Sequence, residues 1–132
     1  MRDKVAFITG ITGQDGSYLT DHLLEQGYII HGLLHRPDSA GSSNIKEHVA
    51  NSKIFNKRLF LHAGSFEDVT HLRKVINKAK PDEFYHLAGQ SSPRLSLDMP
   101  VSTVDSVGIA TLRLLEILRD LEHTTKFLCA SS

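Results

Sequence analysis

Apolar positions fall along the chain in two alternating rhythms. Val5-Ala6-Phe7-Ile8-Thr9 is a short, continuously apolar, β-rich run stopped by Gly10. Such a run fits a strand buried on both faces, since a half-buried strand would alternate polar and apolar. From Ser17 to about Gln26 the spacing of Leu19, Leu23 and Leu24 is helical, and Gly27 ends it. Tyr28 to Leu34 reads as a second strand. Arg36 to Asn44, full of Pro, Asp, Ser and Gly, is a loop, and a short helix is expected from about Ile45 to Ser52. Leu59 to Ala63 makes a third strand. Asp68 to Lys80 places Val69, Leu72, Val75 and Ile76 on one helical face. After Pro81-Asp82 comes a fourth strand, Glu83 to Ala88, then a loop from Gly89 to Pro100.

The helix from about Val101 to Asp120 carries Val104, Val107, Leu112, Leu115 and Leu118, with Leu114 and Ile117 as a second stripe. Two apolar stripes predict two buried faces, one against the sheet and the other against either a partner subunit or neighbouring elements of the same chain. Lys126 to Ala130 is the fifth strand, with Cys129 read as a core residue rather than a nucleophile. Strands alternating with helices predict an α/β fold with a doubly wound parallel sheet and right-handed crossovers. The chain stops at Ser132, directly after the fifth strand. Ligands bind at the carboxyl ends of such strands, so the expectation is a sheet truncated after its fifth strand, the front of a longer protein.

Composition narrows the class. The chain has 132 residues, 40% hydrophobic, which is enough for one domain with a real core. Fifteen basic residues balance fifteen acidic ones, so no electrostatic footprint for nucleic acid is present. No apolar run approaches the roughly 18 residues of a membrane span, and no signal peptide is legible. A single cysteine suits a reducing compartment, so a cytoplasmic location is expected. Eight histidines raise the question of a metal. His31 and His35 share a strand face by parity, but no HExxH and no cysteine pair accompanies them, so no metal site is expected.

The chemistry concentrates in Gly10-Ile11-Thr12-Gly13-Gln14-Asp15-Gly16, a G-x-x-G-x-x-G turn between the first strand and the first helix. Glycines there allow a tight turn and close approach of a pyrophosphate. The helix start adds unpaired N–H groups and partial positive charge. This is the Rossmann arrangement for a dinucleotide, and it makes residues 1–132 a candidate NAD(P)-binding domain. About 20 positions beyond the glycines an NAD site carries an acidic residue. Here that place holds His35-Arg36. A guanidinium suits the extra phosphate of NADP, so NADP is expected in preference to NAD, although Asp38 lies nearby.

The turn and its context resemble the extended short-chain dehydrogenase/reductase family. The longer run Gly10 to Leu19 resembles the opening of the GDP-mannose 4,6-dehydratases. Leu23 to Tyr28 with His31-Gly32, Pro81 to Ser92, Gly108 to Glu116 and Lys126 to Ser132 resemble later stretches of that family. The resemblance covers this whole chain and the front part of such an enzyme. It implies that Gly10 to Asp15 hold the pyrophosphate, with Gly16 closing the glycine pattern, and that Arg36 takes the adenosine phosphate beside His35. It also implies that Ser65-Phe66 stand where the family contacts adenine. Ser65 replaces an Asp, and Pro37-Asp38 replace small hydroxyl residues. Leu87, Ala88, Gly89, Gln90 and Ser91 would line the nicotinamide-side ribose, and Ser132 falls on the catalytic Thr/Ser position.

The family's catalytic Glu and its Tyr-x-x-x-Lys pair have no counterpart in these 132 residues. The implied reaction is redox-neutral: oxidation at C4 of the sugar of GDP-mannose, loss of water across C5 and C6, and return of the hydride to C6. A homo-oligomer is implied as well, and the chain alone is expected to be inactive. Two other readings stay open: another nucleotide-sugar epimerase or reductase of the same family, and a non-catalytic dinucleotide-binding module.

Overall fold

The computed structural model describes residues 3–34, 45–87 and 100–129, with side chains in the last stretch from residue 109 onward. Five strands form one sheet: β1 (Val5–Thr9), β2 (Ile29–Leu34), β3 (Leu59–Ala63), β4 (Glu83–His86) and β5 (Lys126–Cys129). Their spatial order is β3-β2-β1-β4-β5, and the pairings are all parallel. The helices are α1 (Gln14–Glu25), α2 (Lys46–Ala50), α3 (Val69–Ala79) and α4 (Pro100–Asp120). The alternation read from the sequence is therefore the observed one, and the sheet is doubly wound. The strand order reverses between β1 and β4, which is where open α/β sheets leave a crevice at their carboxyl edge.

The two faces are filled differently. One is aliphatic: Ala6, Ile8, Ile30, Leu34 and Leu59 pack with Ile11, Leu23 and Ile45. The other is aromatic. Phe60, His31, Phe7, Phe84 and Phe127 are register partners across all five strands. The rings of neighbours in this row lie 5.0–6.4 Å apart, near-parallel. Leu72, Val75 and Ile76 of α3 and Leu114 and Ile117 of α4 close over that face. Such large side chains reach cross-strand neighbours, so one row staples the sheet together.

Helix ends follow local chemistry. At α3 the Asp68 carboxylate accepts from the His71 N–H at 3.1 Å, and Lys80 closes the helix in a left-handed conformation (φ 47°) just before Pro81. The start of α1 lies at Gln14, three residues before the Ser17 expected from the apolar spacing. Its cap is Gly13, which offers no side chain and so no polar signal.

One expectation needs correction. Cys129 is exposed, not core, because β5 is the outer strand of the described sheet and its pattern is mostly exposed. In α4, Leu114 and Ile117 pack on the aromatic face of the sheet with Leu118 beside them, while Leu112 and Leu115 are 59% and 43% exposed. One apolar face of α4 thus lies on the sheet and the other is open, while the side chains of Val104 and Val107 lie outside the described residues. Among the described residues no helix is long and apolar enough to cross a membrane.

Candidate functional site

The carboxyl edge of the sheet gathers three chain segments: the turn after β1, the turn after β3, and the exit of β4. The first is the glycine turn. Gly10 has φ +71°, a backbone state that L side chains rarely adopt, and its carbonyl accepts from the Gly13 N–H at 3.1 Å. Gly16 lies against the same carbonyl. A Cβ on Gly16 would stand 2.3 Å from the Gly10 oxygen and 2.7 Å from the Ile11 Cα. Only glycine lets α1 begin this close to the strand it leaves. Gly13 differs: its Cβ would meet nothing nearer than 3.4 Å, so its bareness is not required by packing.

Around this turn Ile11, Ser17 and Thr20 are engaged inward. Ile11 is fully buried and packs over Gly32, where a Cβ would come within 2.5 Å of the Ile11 Cδ1. Ser17 donates its hydroxyl to the Gln14 carbonyl (2.8 Å), and Thr20 donates to the Gly16 carbonyl (2.7 Å). Gln14 and Asp15 are exposed, and Thr12 is half-buried. The first N–H groups of a helix have no intrahelical acceptors, and Gly13 supplies no side-chain cap. The mouth thus offers backbone N–H groups at a positive helix end, beside the exposed Gln14 and Asp15, a cradle that fits a diphosphate.

The second segment follows β3. Gly64 N–H donates to the Leu34 carbonyl at 3.0 Å, tying the ends of β3 and β2. The Ser65 hydroxyl accepts from the Glu67 N–H at 3.0 Å. Phe66 is half-buried, and its carbonyl accepts from Arg113 Nη1 of α4 at 2.7 Å. The third segment is Leu87, whose N–H reaches both the Thr9 carbonyl (3.2 Å) and the Thr9 hydroxyl (3.1 Å).

Between these segments lies a pair that sequence reasoning missed. Thr9 and His86 are the last residues of β1 and β4 and are register partners. Both are buried, and Thr9 Oγ1 stands 2.7 Å from His86 Nδ1. Burial lowers the His86 pKa, which keeps the ring neutral. The Phe66 ring meets the His86 ring edge-on at 5.4 Å. Nothing local in the sequence marks this pair, because the partners are 77 positions apart.

Of the residues named from sequence, Gly10, Ile11, Thr12, Gly13, Gln14, Asp15 and Gly16 form the one turn. Ser65, Phe66 and Leu87 lie along the same edge. His35, Arg36, Ala88, Gly89, Gln90, Ser91 and Ser132 lie outside the described residues. His31, considered as a ligand with His35, instead faces His62, with Nδ1 to Nε2 at 2.9 Å and the rings stacked. Burial and then the neighbouring His62 and Lys78 push the His31 pKa down to about 4. Among the described residues no group of three potential metal ligands occurs.

Sheet order, glycine turn and strand-end crevice define the class as a Rossmann-type α/β domain. A solved UDP-Glc/GlcNAc 4-epimerase from Campylobacter jejuni shares the fold, with a TM-score of 0.80 at 18% identity, over 97% of this chain and 37% of the epimerase. So does the Bordetella bronchiseptica enzyme WbmH, solved in complex with NAD+, with a TM-score of 0.66 at 23% identity, over 89% of this chain and 36% of WbmH. The family model for GDP-mannose 4,6 dehydratase matches residues 7–132. A GDP-mannose 4,6-dehydratase of Yersinia enterocolitica is 44% identical over 131 residues, 98% of this chain and 35% of that relative. The chain belongs to the GDP-mannose 4,6-dehydratase family, and it spans little more than a third of the length of the curated relatives it matches.

Proposed function

We propose that this chain is the cofactor-binding front of an NADP-dependent GDP-mannose 4,6-dehydratase, a cytoplasmic lyase of nucleotide-sugar metabolism acting as a homo-oligomer. The observation that carries the reading is the cradle at Gly10–Gly16: a backbone turn too tight for a Cβ at Gly16, opening onto the start of α1. The family's name for its substrate supports GDP-mannose. An exposed apolar stripe on α4 (Ile109, Leu112 and Leu115) supports a subunit contact.

Within this reading the residues at the edge have separate tasks. The backbone of Gly10 to Asp15 holds the diphosphate, and Gly16 lets the helix end reach it. Ser65 and Phe66 flank the adenine. Leu87 and the residues that follow, Ala88 to Ser91, line the nicotinamide-side ribose. Arg36, beside His35, takes the extra phosphate that distinguishes NADP from NAD. The bound nicotinamide supplies reversible hydride transfer, and the protein supplies position and proton transfer. Ser132 is assigned to hydrogen-bond the 4-hydroxyl of the sugar. The base and the Tyr-x-x-x-Lys pair have no counterpart in this sequence, so the 132-residue chain binds cofactor without turning over substrate.

Fluorescence titration with NADPH and NADH tests the reading. Saturable binding, tighter for NADPH, is expected, with no dehydration of GDP-mannose by this chain alone. Absence of binding to either dinucleotide overturns the cradle. Tighter NADH overturns the role of Arg36, and turnover overturns the division of labour.

A further inference from the structure

The crevice of a doubly wound sheet opens where the strand order reverses, here between β1 and β4. Among the described residues, Thr9 and His86 meet at that point, at the ends of those two strands. The Thr9 hydroxyl bonds the Leu87 N–H at 3.1 Å, where the chain leaves β4, and stands 2.7 Å from His86 Nδ1. Thr9 also directly precedes Gly10, the first residue of the cradle. One hydroxyl therefore links the cradle to the start of the segment assigned to the nicotinamide-side ribose. A hydroxyl rotates freely unless a partner fixes it, and it has few positions that serve two partners at once. His86 is itself held, 2% exposed, by the edge-on ring of Phe66 on one side and by Phe127 at 6.4 Å on another.

We propose that His86 is a positioning residue for the dinucleotide: its Nδ1 fixes the Thr9 hydroxyl, which, beside the backbone bond from the Leu87 N–H to the Thr9 carbonyl (3.2 Å), sets the distance between the glycine cradle and the chain leaving β4. This rests on the dinucleotide reading above and adds a division within it. The adenine-side half of the cofactor touches the cradle and the ends of β2 and β3. Only the complete dinucleotide also needs the exit of β4 at the right distance. Loss of the His86 nitrogen is thus expected to weaken the whole cofactor and spare its adenine half. A merely structural role would not make that split.

The test uses the 132-residue chain and two ligands, NADPH and 2′,5′-ADP. His86→Phe keeps the ring against Phe66 and Phe127 but removes the nitrogen. His86→Asn keeps a polar group at the place of Nδ1, able to accept or donate. In His86→Phe the Kd for NADPH is expected to rise about tenfold, the scale of one buried hydrogen bond. The Kd for 2′,5′-ADP should stay within about twofold of the parent. His86→Asn should recover most of the NADPH affinity. The proposal is overturned if His86→Phe binds NADPH like the parent, if it weakens both ligands equally, or if His86→Asn is as weak as His86→Phe. A parent chain that binds neither ligand would instead remove the dinucleotide reading itself. Should His86→Phe fail to fold, His86→Asn paired with Thr9→Ser carries the test: both retain the bond and both should bind both ligands like the parent, and a selective NADPH loss in either overturns it.

Discussion

The two ends of the sheet solve opposite problems. At the carboxyl edge the fold strips away side chains: Gly10, Gly13 and Gly16 leave backbone, Ile11 turns inward, and the buried polar pair is Thr9 with a neutral His86. At the amino edge it accumulates charge and then consumes it. Asp82 accepts from the Val5 N–H at 2.9 Å and pairs with His123 at 2.9 Å. Glu83 accepts the hydroxyls of Tyr28 and Tyr85, with Lys4 and Lys126 close by. An open depression of about 270 Å³ lies there too, lined by Lys4, Asp82, Glu83, Thr124 and Lys126. Charge and concavity would direct attention to that end. The ligand chemistry proposed above lies at the other, where the start of α1 offers backbone N–H groups that have no intrahelical acceptor.

The comparison breaks most sharply at Gly16. Gly16→Val places carbon atoms inside the Gly10 carbonyl and the Ile11 backbone. Neither is a flexible side-chain tip, so the turn itself must move. A stability loss of about 3 kcal/mol and loss of measurable dinucleotide binding are expected. Gly13→Ala is the control at the same turn, since its Cβ meets only an ordinary contact. Thermal unfolding of Gly13→Ala should stay near the parent while that of Gly16→Val falls. Equal melting temperatures for both variants would refute the assignment of tightness to Gly16 alone.

Thr9→Val probes the same edge through a side chain. The isosteric valine keeps the volume but leaves His86 Nδ1 short of a partner in a buried place, while the Leu87 N–H keeps only its bond to the backbone carbonyl of residue 9. The expected cost is about 2 kcal/mol in chemical denaturation. Thr9→Ser should restore most of it.

How far these features were legible depends on whether their cause is local. The run Val5–Thr9 and the run Leu59–Ala63 are strands with the bounds read from sequence, because an apolar run closed by a turn residue is a local signal. The glycine turn was legible for the same reason. The start of α1 was not, because its cap is a residue without a side chain. Thr9 with His86, and Phe66 with Arg113, depend on parallel register and on which helix lies over which strand. Neither leaves a mark in the neighbouring residues. Cys129 was misread because burial of a strand depends on what covers it, whereas its apolar composition says only that it tolerates cover. Arg36 and Ser132 rest on the sequence pattern and the family alone.

Between the two ends lies the row containing His31. Its pKa near 4, below the ordinary 6.5, means the folded chain holds fewer protons than the unfolded chain between those values. Stability contributed by the neutral ring is complete above about pH 6.5 and is lost as the pH falls toward 4. His62, 2.9 Å away and lowered by burial, acts in the same direction. His31→Phe extends the Phe60–Phe7 row without a titrating group, so its stability should fall less between pH 6.5 and 4 than that of the parent. Parallel pH curves for parent and variant would show that His31 does not carry the acid sensitivity.

The smallest effect is expected at the amino edge, from Glu83→Gln. Burial pushes the Glu83 carboxyl up, but the hydroxyls of Tyr28 and Tyr85, then Lys4 and Lys126, outweigh it and hold the group below its ordinary value. Its contribution is therefore present above about pH 4.5 and disappears as the pH falls below that. The glutamine still accepts from one hydroxyl but gives up the charge, so a loss of about 1 kcal/mol at neutral pH is expected, discounted because the group is only half-buried. The same substitution releases the tyrosines. The Tyr28 hydroxyl, held up at about 12 first by its bond to Glu83 and then by burial, should titrate closer to 10 in an alkaline absorbance scan. Dinucleotide affinity should be unchanged, since the depression beside Glu83 is at the far end of the strands from the cradle. If Glu83→Gln weakened NADPH as much as His86→Phe is expected to, the two ends would be coupled through β4, and the separation of ligand edge from charged edge would fail.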